Sequence, residues 1–200
     1  MLKIFHSPRA RSLRVVWLCE EMGVRYQVAA EKIGAPSAEF LAVNPLGALP
    51  ALVDGNVSMT ESIAMMLYVM GKYGPTDLAL PPDDPGYAKY LQFLLYGEAS
   101  VAMYCNPLIA TKYQAPENQR DNWTAGYLRT TIAQRLDFID RQLGDGPFIV
   151  GSQFTAADIS VGYSFGMTAF AAGSVLSPKL QAYQQRLVAR PAYQRALSAA

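Results

Sequence analysis

Asn44-Pro45-Leu46-Gly47-Ala48-Leu49-Pro50-Ala51-Leu52-Val53, continuing through Asp54-Gly55-Asn56 to Val57-Ser58-Met59-Thr60-Glu61-Ser62-Ile63, is the stretch on which the fold turns. Ala51–Val53 and Val57–Met59 are short apolar runs on either side of Asp54-Gly55-Asn56, a strong signal for a β-hairpin. Pro50 stands just before the first run. It has no backbone donor and so cannot lie inside a ladder. A cis bond there turns the chain and leaves the N–H and C=O of Leu49 facing outward, able to pair with an extended peptide ligand. The plain alternative is an ordinary loop entering a strand, since few X-Pro bonds are cis in folded proteins. Directly after the hairpin, Ser62 opens a helix that runs to Met70 and stops at Gly71 and Gly74-Pro75.

Upstream, Leu2–Phe5 reads as a buried strand and residues 11–22 as a helix, with Leu13, Val16 and Trp17 at helical spacing and Gly23 as the stop. Tyr26, Val28 and Ala30 alternate as a strand, and Ser37–Val43 is a short helix. The order β-α-β-α-β-β-α implies a small mixed sheet: a parallel pair from the first two strands and an antiparallel hairpin. Downstream, Gly74–Gly86 carries four prolines and three aspartates, which is linker chemistry. Everything beyond it is helical in pattern. One run passes through Tyr90, Leu94, Val101, Cys105 and Leu108, with a kink expected at Pro107. Leu128, Ile132, Leu136, Ile139 and Leu143 form another, then come Thr155–Ala171, Pro178–Arg190 and Pro191–Ala199. The expected division is residues 1–75, a linker at 76–86, and an all-helical domain at 87–200.

Composition narrows the function. At 51% hydrophobic over 200 residues the chain can bury a substantial core. Only 16% of it is charged, below the usual quarter, so part of its apolar surface is expected against a partner subunit. A net charge of +1 with no basic stripe argues against nucleic acid. The cysteines Cys19 and Cys105 and the single His6 form no spacing that suggests a metal. No stretch spans a bilayer and no signal-peptide run opens the chain, so a soluble cytoplasmic protein is expected.

Three segments carry chemistry. The Ser62 hydroxyl and the first N–H groups of its helix form an anion site, and Glu61 beside it can hold an ammonium. Together they suit an amino-acid head group, carboxylate on Ser62 and amine on Glu61; the alternative is a simple capped helix start. His6-Ser7-Pro8-Arg9-Ala10-Arg11-Ser12-Leu13-Arg14 joins the first strand to the first helix. A thiolate held there, at a helix N-terminus among arginines, has its pKa lowered. Solvated arginines, or pairs with Glu20, Glu21 or Glu31, are the alternative, and for Arg14, inside the helix, the favoured one. Phe154-Thr155-Ala156-Ala157-Asp158-Ile159 reads as a capping box of structural purpose.

Taken in order, these segments resemble the glutathione transferase superfamily, and in particular soluble bacterial and fungal theta- or beta-like members. Ser7 through Gly23 is similar to the "SRSxRxxWLLEELG"-type start of such proteins, Asn44–Val53 to their NPxGxVPaL segment, Glu61-Ser62 to their glutamate–serine pair, and Ile149 through Asp158 to their helical-domain signature. The resemblance implies an α/β thioredoxin-like mixed-sheet domain followed by an all-α domain. It implies that Leu49 exchanges backbone hydrogen bonds with the cysteinyl part of glutathione next to cis-Pro50, and that Glu61 and Ser62 hold the γ-glutamyl head. It implies a homodimer, with Glu98 a candidate to reach the neighbouring subunit's site. It also implies a second-substrate site between the domains, for which Tyr96, Met103, Tyr104, Tyr113, Phe165 and Met167 are wall candidates.

The chain departs from the pattern in two places. Where related members carry a serine, four residues before the arginine matching Arg14, it has Ala10, and where others carry a cysteine it has Arg11. Ser12, Ser7 and Arg11 are therefore the candidate thiol-activating groups, along with a backbone N–H of the helix start. Ala48 replaces a frequent lysine, so the glycyl carboxylate needs another cation, Lys32 or an arginine. The function implied is conjugation of glutathione thiolate to small apolar electrophiles. The alternatives are glutathione-dependent thiol or peroxide reduction, with Cys105 as the thiol to test, and a non-enzymatic binding or interaction protein of the same fold.

Overall fold

A computed structural model describes residues 1–199; residue 200, within the expected helical region, lies outside them. The chain forms two compact units, Met1–Ala79 together with the segment from Val188 onward, and Leu80–Leu187.

The first unit holds β1 (Leu2–His6), α1 (Ser12–Met22), β2 (Tyr26–Ala30), α2 (Ala38–Val43), β3 (Ala51–Asp54), β4 (Val57–Met59) and α3 (Ser62–Tyr73). The sheet order is β2-β1-β3-β4. β1 pairs in parallel with β2 and β3 pairs antiparallel with β4, as the sequence order implies, and the structure joins the two pairs by setting β3 antiparallel beside β1. Its central place explains why β1 is buried at every residue but Lys3 rather than alternating. One face of the sheet buries Phe5 and Ala51 under α2, with the Phe5 and Phe40 rings stacked at 5.2 Å. Ile4, Val28 and Leu52, level in register, share the opposite face.

Two helix ends have clear chemical causes. α1 stops at Gly23, which takes the left-handed conformation at φ 65° that a side chain disfavours. α2 is capped by Ser37, whose Oγ accepts the Phe40 N–H at 3.1 Å and whose hydroxyl donates to Glu31. α3 departs from expectation: it passes through Gly71 and ends at Tyr73. Tertiary bonds outweigh the glycine's propensity cost of about 1 kcal/mol. Tyr68, Lys72 and Tyr73 all donate to Asp54 Oδ2, at 3.0, 2.6 and 2.7 Å, so the last turn of α3 is tied to the end of β3. The Lys72 ammonium, then the Tyr73 hydroxyl, hold the Asp54 carboxyl down at about 2.

The last helix, α9 (Pro191–Ser198), also packs in this unit, on α1. Trp17 meets the edge of Tyr193 at 4.8 Å. Arg190 grips Glu21 with two bonds of 2.6 and 2.8 Å, and Arg195 pairs with Glu20. Glu20 and Glu21 are thus engaged from the far end of the chain.

The second unit contains α4 (Tyr87–Tyr96), α5 (Met103–Gln114), α6 (Trp123–Gln142), α7 (Ala156–Ala172) and α8 (Pro178–Val188). The expected kink at Pro107 is not where the first run changes; Pro107 lies within α5, and the irregularity is a π-helical stretch at Gly97–Ala102. Gly97 is the reason for the close approach there: a Cβ would stand 2.3 Å from the carbonyl oxygen of Ser160 on α7. The capping box forms as read, Thr155 and Asp158 bonding reciprocally at the start of α7. Asp158 does more than cap, accepting also from the Ile149 N–H and the Tyr183 hydroxyl.

Candidate functional site

The motifs singled out in the first 63 residues meet at one end of the first unit's sheet. The register Phe5↔Ala51, extended by one residue, brings His6 level with Pro50, so the exit of β1 lies beside the entry to β3. The Leu49–Pro50 bond is cis and Pro50 is buried. The approach to it is braced by buried Asn44, whose Nδ2 donates to the Ala48 carbonyl at 2.7 Å and whose Oδ1 accepts the Leu46 N–H. Gly47 turns at φ 61°, with Pro36 packed where a side chain would go. Against this loop the backbone N–H and C=O of half-buried Leu49 take no partner among the described residues. They remain available to an added strand, as the sequence suggested for the cis case.

The start of α3 is not a simple cap. Glu61 occupies the position before the helix but makes no side-chain cap bond, and it sits at φ 67°, ψ 102°, left-handed territory for a non-glycine residue. Such a conformation costs on the order of 1–3 kcal/mol and persists only where its surroundings enforce it. Its carbonyl accepts the Met65 N–H, and its side chain is exposed. Ser62 is buried, as is Arg14, and the Arg14 Nη1 donates to the Ser62 Oγ at 3.2 Å. This corrects the reading of Arg14 as a solvated residue: it crosses from α1 to the head of α3. Helical spacing gave its position but not which face α3 would cover.

At the start of α1 the structure separates the three thiol-activating candidates. Ser12 is fully buried and its Oγ lies 2.8 Å from His6 Nδ1, with the Ser7 N–H also directed to it at 3.4 Å. Burial pushes the His6 pKa below its ordinary value, so the ring is neutral at pH 7. Ser12 is therefore consumed by an internal network. Ser7 is buried as well, whereas Arg11, at the cap position of α1, is half-buried. Arg9 stands exposed at φ 66°, in the turn closed by the Ala10 N–H and the Ser7 carbonyl. Glu31, offered as a partner for these arginines, serves α2 instead.

Neither cysteine is poised to react. Cys19 is buried in α1, where burial and then the charge of Glu20 push its thiol up to about 12. Cys105, expected to be worth testing as a reactive thiol, is buried too, its Sγ 3.7 Å from the Val101 carbonyl one turn back. Among the described residues no three His, Cys, Asp or Glu side chains converge as a metal would require, and no helix is long and apolar enough to cross a membrane.

The wall candidates in the second unit divide by exposure. Phe165 is core, 1% exposed and edge-on to Tyr183, so it offers no surface from this unit. Tyr96 is half-buried among Phe93 and Phe138, Tyr104 lies under the Arg135 guanidinium, and Met167 is half-buried. Met103 and Tyr113 are each about half exposed. The exposed aromatic of α7 is Phe170, stacked on Tyr113 at 5.5 Å; its position, five residues on from Phe165, turns it outward.

Two family models match the chain: the glutathione S-transferase N-terminal domain over residues 1–71 and the glutathione S-transferase C-terminal domain over residues 104–197. Glutathione S-transferase 3 of Schizosaccharomyces pombe is 29% identical over 170 residues, 79% of this chain and 70% of the yeast protein. Glutathione S-transferase GstA of Escherichia coli O157:H7 is 27% identical over 207 residues, 99% of this chain and 98% of its own. Among solved structures, the theta class glutathione S-transferase of Xanthomonas axonopodis pv. citri, with glutathione bound, superposes with a TM-score of 0.80 at 27% identity, covering 100% of this chain and 98% of that one.

Proposed function

The chain belongs to the glutathione S-transferase family, and from that premise we propose that it binds glutathione at the end of the first unit's sheet and transfers it to small apolar electrophiles. In this reading Leu49 pairs its free backbone groups with the cysteinyl residue beside cis-Pro50. Glu61 takes the ammonium of the γ-glutamyl head and Ser62 its carboxylate. The observation that carries the reading is the head of α3: an uncapped helix start where a buried serine stands next to an acid in a strained backbone conformation. A cap would need no such strain, whereas an amino-acid head group uses both residues.

The chemistry is nucleophilic substitution or addition at the electrophile. The glutathione sulfur, as thiolate, forms the new S–C bond; the leaving group departs with its electron pair, or the adduct takes a proton from water. The protein's part is to hold the sulfur near the start of α1, where helix N–H groups and arginines favour the thiolate. We further propose a cytoplasmic homodimer, which the exposed leucines Leu46 and Leu95 and the low charge content support. Reduction through a protein thiol has little support, because both cysteines are buried.

Calorimetric titration of glutathione into the wild-type protein tests the reading: one saturable site per chain is expected, and well-folded protein that takes up no glutathione would overturn it. Ala10 is the observation that favours binding without turnover. If the sulfur lies at this turn, Ala10→Ser restores a hydroxyl donor to it, and kcat/KM with a chloronitrobenzene electrophile is expected to rise by about tenfold or more. The acidic limb of the pH–rate profile should move to lower pH in step, since a donor to the thiolate lowers the thiol's pKa. An unchanged profile would place the sulfur elsewhere.

A further inference from the structure

We infer that Arg14 is the positioning residue of the head-group site: from within the first unit its guanidinium fixes the Ser62 hydroxyl as an outward donor to the α-carboxylate of a γ-glutamyl ligand. The inference deepens the glutathione reading and rests on it.

Arg14 lies in the first turn of α1, is fully buried, and is among the largest side chains in the core. Burying a guanidinium is costly unless bonds and opposite charge meet it, so such a residue is placed for a reason. Among its contacts is the 3.2 Å bond from Nη1 to the Oγ of Ser62, 48 residues away and only 3% exposed. A guanidinium only donates. When Ser62 Oγ accepts from it, the single hydroxyl proton must point away from Arg14. At the first residue of α3 that proton joins the helix's own N–H groups, and no acid in the first turn of α3 competes for them. The arrangement converts a serine, which can donate or accept, into one that donates. It also sets a fixed positive charge behind the carboxylate. Lysine cannot reproduce this, because its compact ammonium lacks the flat, rigid fork and is far more strongly hydrated.

The test compares glutathione with γ-aminobutyryl-cysteinyl-glycine, which lacks only the α-carboxylate of the head. Wild type is expected to prefer glutathione by about tenfold to a hundredfold, the range for a hydrogen bond to a charged group. In Arg14→Lys and Arg14→Met, checked for folding by near-ultraviolet circular dichroism, that preference should fall to within about threefold, through loss of glutathione affinity rather than gain for the analogue. With an electrophile present the loss should appear in KM for glutathione more than in kcat. Ser62→Ala should produce the same loss, and Arg14→Lys added to it should produce no more. A folded Arg14→Lys that keeps the preference, or one that weakens both ligands equally, overturns the inference while leaving the glutathione reading standing. Wild type that binds neither ligand overturns both. Where neither Arg14 variant folds, Ser62→Ala still tests it: a variant that keeps the preference overturns the inference.

Discussion

Replacing Asp158 by alanine is expected to lower the stability of the helical unit by about 3–5 kcal/mol, the largest effect of any single substitution argued for this chain. Asp158 is fully buried and accepts four hydrogen bonds. Oδ1 takes the Ile149 N–H at 2.8 Å and the Tyr183 hydroxyl at 2.6 Å, and Oδ2 takes the Thr155 N–H at 2.8 Å and the Thr155 hydroxyl at 3.2 Å. Ile149, Thr155 and Tyr183 are themselves without solvent contact, so the donors have no water to turn to. Each orphaned donor costs about 1–3 kcal/mol, and partial relaxation of the 149–155 loop keeps the sum below four full penalties. Asp158→Asn keeps one acceptor oxygen but turns an NH2 toward donors, so it should fall between alanine and wild type. Tyr183→Phe removes a donor while the carboxylate keeps its others, and about 1 kcal/mol is expected. Urea unfolding followed by circular dichroism at 222 nm reads this order. An Asp158→Ala midpoint equal to wild type would mean that the four bonds contribute nothing net.

The reach of sequence reasoning is well marked by this same residue. Thr155 and Asp158 are three apart, and a reciprocal cap is a local pattern, so the box was legible. Tyr183 is 25 residues away and Ile149 lies across a loop; nothing local couples them to Asp158, and they appear only when α8 and the loop are packed. The strands were legible because short apolar runs, the alternation over Tyr26–Ala30 and the Asp54-Gly55-Asn56 turn are short-range signals. The end of α3 was not, because Gly71 is a real local weakness that distant Asp54 overrides. Likewise the irregularity at Gly97 comes from the backbone of α7, whereas Pro107 is only a local marker. In the candidate site, Pro50 and the Glu61-Ser62 pair sit inside one contiguous segment, but read locally it left an ordinary loop and a simple helix cap open, and the cis bond and the strained Glu61 come only with the folded backbone. Arg14 and the His6–Ser12 bond were missed or misassigned since each depends on which face of α1 is covered. Docking of α9 on α1 through Glu20, Glu21, Arg190 and Arg195 has the same character: four ordinary surface residues by sequence, paired only in the fold.

In Glu61→Ala/Ser62→Ala, glutathione affinity is expected to fall by about a hundredfold or more, with folding intact. Two charge-assisted hydrogen bonds are removed, one to each charge of the head group, and each is worth about 1.5–3 kcal/mol. Their sum corresponds to about two to four powers of ten in affinity. The Glu61 change should cost little, because its side chain is exposed and makes no cap bond and its carbonyl still receives the Met65 N–H. The Ser62 change takes the acceptor from the buried Arg14 Nη1 and should cost about 1–3 kcal/mol, short of unfolding the chain. Glu61 itself separates the binding role from a structural one. Its φ of 67° is a conformation that glycine adopts at no steric cost, so Glu61→Gly relieves about 1 kcal/mol or more of strain in the folded state. If the strain is held for ligand binding, Glu61→Gly should unfold at equal or higher denaturant than wild type and yet bind glutathione at least about tenfold more weakly. The two measurements are urea unfolding and calorimetric titration on the same preparation. Glycine that binds as well as glutamate would remove the ammonium contact from the site, and the strained residue would then need another explanation.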